Sequence, residues 1–144
     1  MKTETSDKLA DTIRSAGFRA TMPRLLVLSC LKKTQYPLSI KDIAEAGKEN
    51  VDHVTVYRIL DAFKKAGIVS QVDFQHGRAY YELKDERRDH HHIVCTSCRR
   101  VEDFTDDAHT RLATRAMSRS HSFSRLTGHS FELYGLCNTC AARA

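Results

Sequence analysis

Apolar residues recur at three- and four-residue spacing through the first half of the chain. Leu9, Ile13 and Ala16 form a short helical stripe that stops at Gly17. A second helix is expected from about Pro23, whose missing amide donor is harmless in a first turn; Thr21 stands nearby as a cap, and Leu25, Leu26, Leu28 and Leu31 form the apolar side. Pro37 interrupts. Ser39 should cap a third helix, Ile40 to Ala46, with Asp42 at the third helical position as a short capping box and Gly47 closing it. The segment HVTVYRILDAFKKAG reads as a fourth helix with Val56, Ile59, Leu60 and Phe63 inward and Gly67 as its stop. The period then drops to two. Ile68 to Phe74 and Arg78 to Leu83 are β-rich runs joined by Gln75, His76 and Gly77, a hairpin signal. Three short helices followed by a hairpin is the order of a winged helix-turn-helix, although small α+β domains without a nucleic-acid role share it.

The second half has a different make-up. Residues 89 to 144 hold six of the eight histidines and four of the five cysteines. The run Lys84 to Arg88, KDERR, has no apolar residue and reads as a linker, which divides the chain into domains 1–86 and 87–144. Ile93, Val94 and Val101 point to strands, as do Phe131, Leu133 and Tyr134. Asp107 to Arg119 reads as a helix with Leu112, Ala116 and Met117 supplying a modest core. The expectation is an α+β unit whose sheet edge could pair with a second subunit.

A length of 144 residues leaves little room for a large catalytic scaffold, and 41% hydrophobic with 28% charged residues is the make-up of a folded, soluble protein. Basic residues exceed acidic ones by 23 to 18, and most of the excess lies in the stretch up to and including Arg88, where 16 basic residues face 12 acidic. A polyanionic partner is plausible on the overall excess, which does not establish one by itself. No run of about 18 apolar residues occurs, and the opening MKTETSDKLADTIR is polar where a leader peptide needs an apolar core. A cytoplasmic protein without membrane contact is expected.

In a reducing compartment, two CxxC pairs suggest metal before disulfide. Cys95 with Cys98, and Cys137 with Cys140, are matched knuckles separated by 38 residues, while Cys30 sits alone in an apolar helical pattern. Four thiolates leave no open coordination position, so a closed, structural Zn²⁺ follows. The histidine run is different. At the start of a strand, His90 and His92 face one way and His91 the other. His90 and His92 could share a metal with carboxylates such as Glu82 and Asp103, a nitrogen and oxygen set that suits iron, manganese, cobalt or zinc. His91 could join His129, with Asp89 or His109 nearby.

If the fourth helix reads DNA, its exposed N-terminal face carries His53, Thr55, Tyr57 and Arg58. Thr55 could cap the helix or bind a phosphate. Tyr57 offers a ring edge to a thymine methyl and a hydroxyl to a phosphate, and Arg58 can fork onto a guanine edge or a phosphate. Lys64 and Lys65 should lie along the backbone. The competing interpretation makes these an ordinary amphipathic side chain and solvated charges.

Four stretches together resemble the ferric uptake regulator family, the metal-responsive repressors of bacteria. They are RATMPR at Arg19 to Arg24, DHVTVYRILDAFKKAGIV at Asp52 to Val69, HHHIVCTSCRRVEDF at His90 to Phe104, and HSFELYGLCNTC at His129 to Cys140. The resemblance implies an N-terminal winged helix, a C-terminal α+β dimerisation domain, and a homodimer that binds inverted-repeat operator DNA when its regulatory metal is bound. It puts structural zinc on Cys95, Cys98, Cys137 and Cys140, the regulatory ion on Glu82, His90, His92 and Asp103, and an additional ion on His91 and His129. Arg19, Thr55, Tyr57, Arg58 and Lys64 are the expected DNA contacts. Two departures stand out. The acidic ligand of the additional site aligns near Thr110, and adjacent His109 could replace it only if the helix register shifts. Tyr36 and Pro37 occupy the loop where iron and peroxide sensors carry a histidine, which makes Asp73 on the wing a candidate substitute. The regulatory metal stays open between Fe²⁺, Zn²⁺ and Mn²⁺.

Two rivals remain from other classes. A small metal hydrolase would need an open metal position and a base such as Glu82, which is already required as a ligand. A metal-binding structural or buffering dimer without sequence-specific DNA binding is the other.

Overall fold

The computed structural model describes residues 2–48, 50–75, 77–84 and 90–144. The chain divides into two compact units, Met1–Asp85 and Glu86–Ala144. Residues 85–88 of the expected linker, and the candidate ligand Asp89, lie outside the described residues.

The first unit begins with α1 (Lys2–Ser15) and α2 (Met22–Lys33). Thr21 occupies the N-cap position of α2, but its hydroxyl makes no capping bond, and the start is set by the proline in the first turn. Ser39 and Asp42 form the expected reciprocal box at the head of α3 (Ile40–Ala46): the Asp42 amide donates to Ser39 Oγ at 3.2 Å, and the Ser39 amide donates to Asp42 Oδ2 at 2.8 Å. Gly47 follows, and a Cβ there would lie 2.6 Å from Val51 Cγ1, so any side chain at this position would have to displace Val51. α4 (His53–Lys65) stops before Gly67, whose φ of +75° L side chains rarely adopt.

A three-stranded sheet completes the unit. The hairpin of β2 (Val69–Asp73) and β3 (Ala79–Leu83) is joined by β1 (Leu38–Ser39), a two-residue strand that the periodicity did not suggest, giving the order β1-β3-β2. Leu38 lies opposite Tyr81 and Ser39 opposite Tyr80, so the residue that caps α3 is also a sheet residue. Ile13, Val27, Leu28, Ile43, Val56, Leu60 and Phe63 are fully enclosed and weld the four helices to the sheet. Each such side chain contributes about 1.5–3 kcal/mol of transfer free energy.

The second unit is a sheet in the order β5-β4-β6, made of β4 (His91–Cys95), β5 (Val101–Phe104) and β6 (Glu132–Gly135), with α5 (Ala108–Arg119) and the short α6 (Asn138–Ala141). β5 runs antiparallel to the central β4, and β6 runs parallel to it. Among its described residues only His91, His92, Val94 and Cys95 are buried, all on β4. The expected core from α5 is absent: Leu112 is 62% exposed and the helix buries none of its residues. A single small sheet offers the apolar stripe of α5 no second layer to pack against. No helix among the described residues is long and apolar enough to cross a membrane.

Candidate metal centres and nucleic-acid interface

Cys95 ends the central strand, and the chain turns at once through Thr96, Ser97 and Cys98 into Arg99, which takes a left-handed φ of 65°. The Arg99 amide donates to the Cys95 carbonyl at 2.9 Å, closing the knuckle. Cys137 immediately precedes α6 and Cys140 lies within it, so the second knuckle is a helical turn. β6 delivers that turn beside the first knuckle because it runs parallel to β4, with Gly135 opposite Cys95. All four sulfurs lie within 4.8 Å of one another, and Cys98 Sγ is 3.7 Å from Cys137 Sγ. A tetrahedron with Zn–S bonds of about 2.3 Å has edges of about 3.8 Å, so this spacing fits one ion and is far too long for a disulfide.

The electrostatics agree with that fit. The Cys137 and Cys98 amides donate to Cys95 Sγ at 3.4 and 3.5 Å and hold its thiol down to about 6. The Cys140 amide likewise lowers Cys137. At Cys140 the Ser97 hydroxyl favours the thiolate, but the neighbouring Cys137 side chain and burial outweigh it, and the group is pushed up to about 11. Four sulfurs at this distance cannot all ionise without a cation between them.

Next to the knuckle, successive side chains of β4 make two faces. His91 is buried, opposite Phe104 across the sheet, and its ring centroid lies 4.2 Å from that of His109 on α5 and 5.6 Å from that of His129. The His109 and His129 rings are 4.9 Å apart. One nitrogen from each of the three falls within a 4.8 Å set. Phe104 and Phe131 pack beside His91. His109 Nδ1 meets the carbonyl oxygen of Asp106, and a proton donated there leaves Nε2 with the lone pair that a metal takes. Thus His109 reaches the cluster in the helix register as it stands, and the expectation that a shift would be needed is corrected: α5 starts at Ala108, which aims the first turn at the sheet.

On the opposite face, the His90 and His92 rings lie edge to face with centroids 5.3 Å apart. His92 is buried and pairs in register with Asp103 of β5, its Nε2 standing 3.6 Å from Asp103 Oδ1. Glu82 and Asp73 belong to the first unit. Glu82 is half-buried on β3 opposite Ser70, and Asp73 ends β2, where its Oδ1 accepts the Gln75 amide at 2.8 Å and shapes the hairpin turn.

The outer face of α4 carries His53, Val54, Tyr57 and Arg58, all exposed, over a wholly buried inner face. Thr55 is half-buried. Its amide and hydroxyl both donate to the N-cap Asp52, at 2.8 and 2.9 Å, so the cap is Asp52 and not Thr55. Those two bonds hold the Asp52 carboxyl below the usual carboxylate range. Lys64 donates to Gln71 Oε1 on β2 at 2.9 Å, tying the far end of the helix to the wing. Arg19 is exposed just before α2. A cleft of about 480 Å³ opens beside Tyr57, bordered by His53, Val54, Lys41 of α3 and Arg78 and Ala79 of the wing.

The sequence profile of the Ferric uptake regulator family matches residues 15–134. The chain is 35% identical to the ferric uptake regulation protein of Legionella pneumophila over 133 residues, covering 89% of this chain and 95% of that one. The chain belongs to the ferric uptake regulator family. Solved structures of the family have the same fold: the ferric uptake regulator of Vibrio cholerae superposes with a TM-score of 0.77 at 30% identity, covering 88% of this chain and 98% of that one. The Francisella tularensis regulator with iron gives 0.75 at 28% identity, covering 87% and 96%. The family is one of metal-responsive transcription regulators, not enzymes, which sets the hydrolase aside. Its α+β architecture, a winged helix followed by a smaller mixed unit, is the one expected from the sequence. Lys41, Val54 and Arg78 around Tyr57 were not singled out from the sequence. The only available signal was a basic residue at the head of α3 and another at the wing tip.

Proposed function

We propose that this chain is a metal-dependent transcriptional repressor that binds inverted-repeat operator DNA as a homodimer. Its dimerisation and metal-binding domain follows a winged-helix DNA-binding domain, with the boundary near residue 86. The observation that carries this is the division of labour within one chain of this family: an exposed reading face on α4, and a sheet whose central strand ends in a cysteine cluster and carries histidine clusters on both faces.

In this reading Cys95, Cys98, Cys137 and Cys140 hold structural Zn²⁺. His90, His92 and Asp103 hold the regulatory ion; the family pattern adds Glu82, and Asp73 is the candidate for a further oxygen. The buried His92 beside Asp103 supports the assignment, because imidazole with carboxylate suits Fe²⁺, Zn²⁺ or Mn²⁺. His91, His109 and His129 hold the additional ion. A bound dication would offset the negative charge of the thiolates and carboxylates among these donors, and the side chains fix which donors are present.

Tyr57 and Arg58 read bases, while Arg19, Thr55 and Lys64 border the phosphates. The exposed Ile93, Leu112, Leu133 and Leu136 support a dimer, since a single copy leaves this much apolar surface of the second unit in water. The rival, a metal-buffering dimer, predicts no sequence-specific DNA binding under any condition. Selection of binding sites from random duplexes, followed by retardation with Fe²⁺, Mn²⁺ or Zn²⁺ and with chelator, separates the two. The repressor should retard the selected duplex only with metal, and retardation that ignores both metal and sequence would refute the proposal.

A further inference from the structure

We infer that Arg24 is a positioning residue for DNA binding: its guanidinium clamps the connector between α1 and α2, and the clamp presents Arg19 to the phosphates. The inference rests on the reading of Arg19 as a phosphate contact.

The connector is pinned from both ends. At its start Gly17 takes a left-handed φ of +85°. The Gly17 and Phe18 amides donate back to the carbonyls of Arg14 and Ile13, at 2.9 and 3.1 Å, which ends α1 in a fixed direction. Phe18 and Ala20 pack on the core, and Arg19 between them is exposed. The Phe18 ring lies 5.9 Å from that of Phe63, a fully buried residue on the inner face of α4, so the base of this arm is seated on the reading helix itself. Phe63 comes five residues after Arg58, roughly 7–8 Å further along the helix at about 1.5 Å per residue. The arm is therefore seated away from the base-reading end, as suits a contact to the DNA backbone.

Arg24 closes the arrangement with two contacts at once. Its Nη1 donates to the Arg19 carbonyl at 2.9 Å, an oxygen that also accepts the Thr21 amide at 2.9 Å. Its Cζ stands 5.1 Å from the centroid of the Phe18 ring, a cation over an aromatic face. A planar guanidinium can stack on a ring and donate at its edge together, and the Arg24 side chain is half-buried in doing so. Arg19 is thus the outward residue of a loop whose backbone is fixed before DNA arrives. Without the clamp, ordering that backbone falls to the binding step and opposes it.

The test measures DNA affinity of the full-length protein across a range of salt, in the metal condition under which the wild type retards its selected duplex. The variants are Arg19→Ala, Arg24→Ala, Phe18→Leu and the two doubles that combine Arg19→Ala with either of the others. Phe18→Leu keeps an apolar side chain against Phe63 and removes the ring face under Arg24 without altering charge. Urea unfolding of each variant records any loss of fold, while the salt slope and the double-mutant cycle read what a merely structural role would not move. Arg19→Ala should weaken binding by about tenfold or more and flatten the slope of log K against log salt by about 0.9, one phosphate contact. Arg24→Ala and Phe18→Leu should each weaken binding several-fold, and Phe18→Leu should flatten the slope although it removes no charge. Neither should weaken binding further once Arg19 is alanine. If Arg19→Ala changes neither affinity nor slope, Arg19 touches no phosphate, and the reading falls together with the inference. If Arg19→Ala behaves as expected but the full Arg24→Ala loss persists in the double variant, Arg24 binds DNA directly, and the reading stands while the inference is overturned. Wild-type affinity in Arg24→Ala overturns it equally.

Discussion

Stripping the ion from Cys95, Cys98, Cys137 and Cys140 with a strong chelator, or replacing Cys137 with serine, should unfold the second unit and leave the first standing. The first unit has its own core, with Phe63, Leu60, Leu28, Val27, Ile43 and Ile13 all almost fully enclosed. In the second, the buried apolar residues among those described are Val94 and Cys95, neighbours on one strand. A unit of the size of Glu86–Ala144 has a typical net stability of about 3–9 kcal/mol, at roughly 0.05–0.15 kcal/mol per residue. Structural zinc binding is worth about 10–16 kcal/mol near neutral pH, more than that whole margin. Calorimetry and amide exchange read the outcome. Chelated protein should keep one cooperative transition from the helical unit, with slow exchange at α2 and α4, while the amides of β4 and β6 exchange freely. A chelated protein in which β4 amides stay protected and the second transition persists would show that the sheet folds without its staple.

Other consequences follow from single side chains. Tyr57→Ala and Arg58→Ala should weaken binding to a selected operator far more than to random DNA, by about 1–3 kcal/mol of discrimination for a base contact, whereas Lys64→Ala should act on both nearly alike; fluorescence anisotropy with the two duplexes checks this. Gly47→Ala forces a methyl against Val51 and should cost about 1–3 kcal/mol in thermal or urea unfolding. Asp52 has a lowered folded-state pKa, so its contribution to the head of α4 is fully present above the usual carboxylate range and is lost as pH falls through the lower folded value. Asp52→Ala should therefore speed exchange of the Thr55 amide at neutral pH, and lowering the pH should change that variant's exchange protection less than the wild type's.

Much of the first unit was legible because its signals are local. The Ser39 and Asp42 box, the i, i+3, i+4 stripe of Val56, Ile59, Leu60 and Phe63, and Gly67 at positive φ each announce themselves within one turn. β1 did not, since two residues carry no periodicity and exist as a strand only through pairing with Tyr80 and Tyr81 some forty positions away. The cysteine knuckles were readable from spacing alone, because four sulfurs in two CxxC pairs have few other uses. His109 was harder. Its place beside His91 and His129 depends on where α5 begins relative to the sheet, which a propensity argument locates only to within a residue or two. Leu112 was misjudged for a related reason: an apolar stripe at helical spacing says that something covers it, and not whether the cover lies in the same chain.

The most direct test of the regulatory reading compares operator affinity with and without added metal in His92→Ala and His91→Ala protein that retains its cysteine-bound zinc. To carry a protein from 1:99 to 99:1 occupancy of its DNA-binding state, the ion must prefer that state by roughly 10⁴-fold, so loss of one good ligand is enough to abolish the response without unfolding anything. The account predicts that His92→Ala binds operator weakly whether or not metal is present, while His91→Ala keeps most of its activation. Full activation of His92→Ala together with its loss in His91→Ala would place the switch on the other face of β4 and contradict the account.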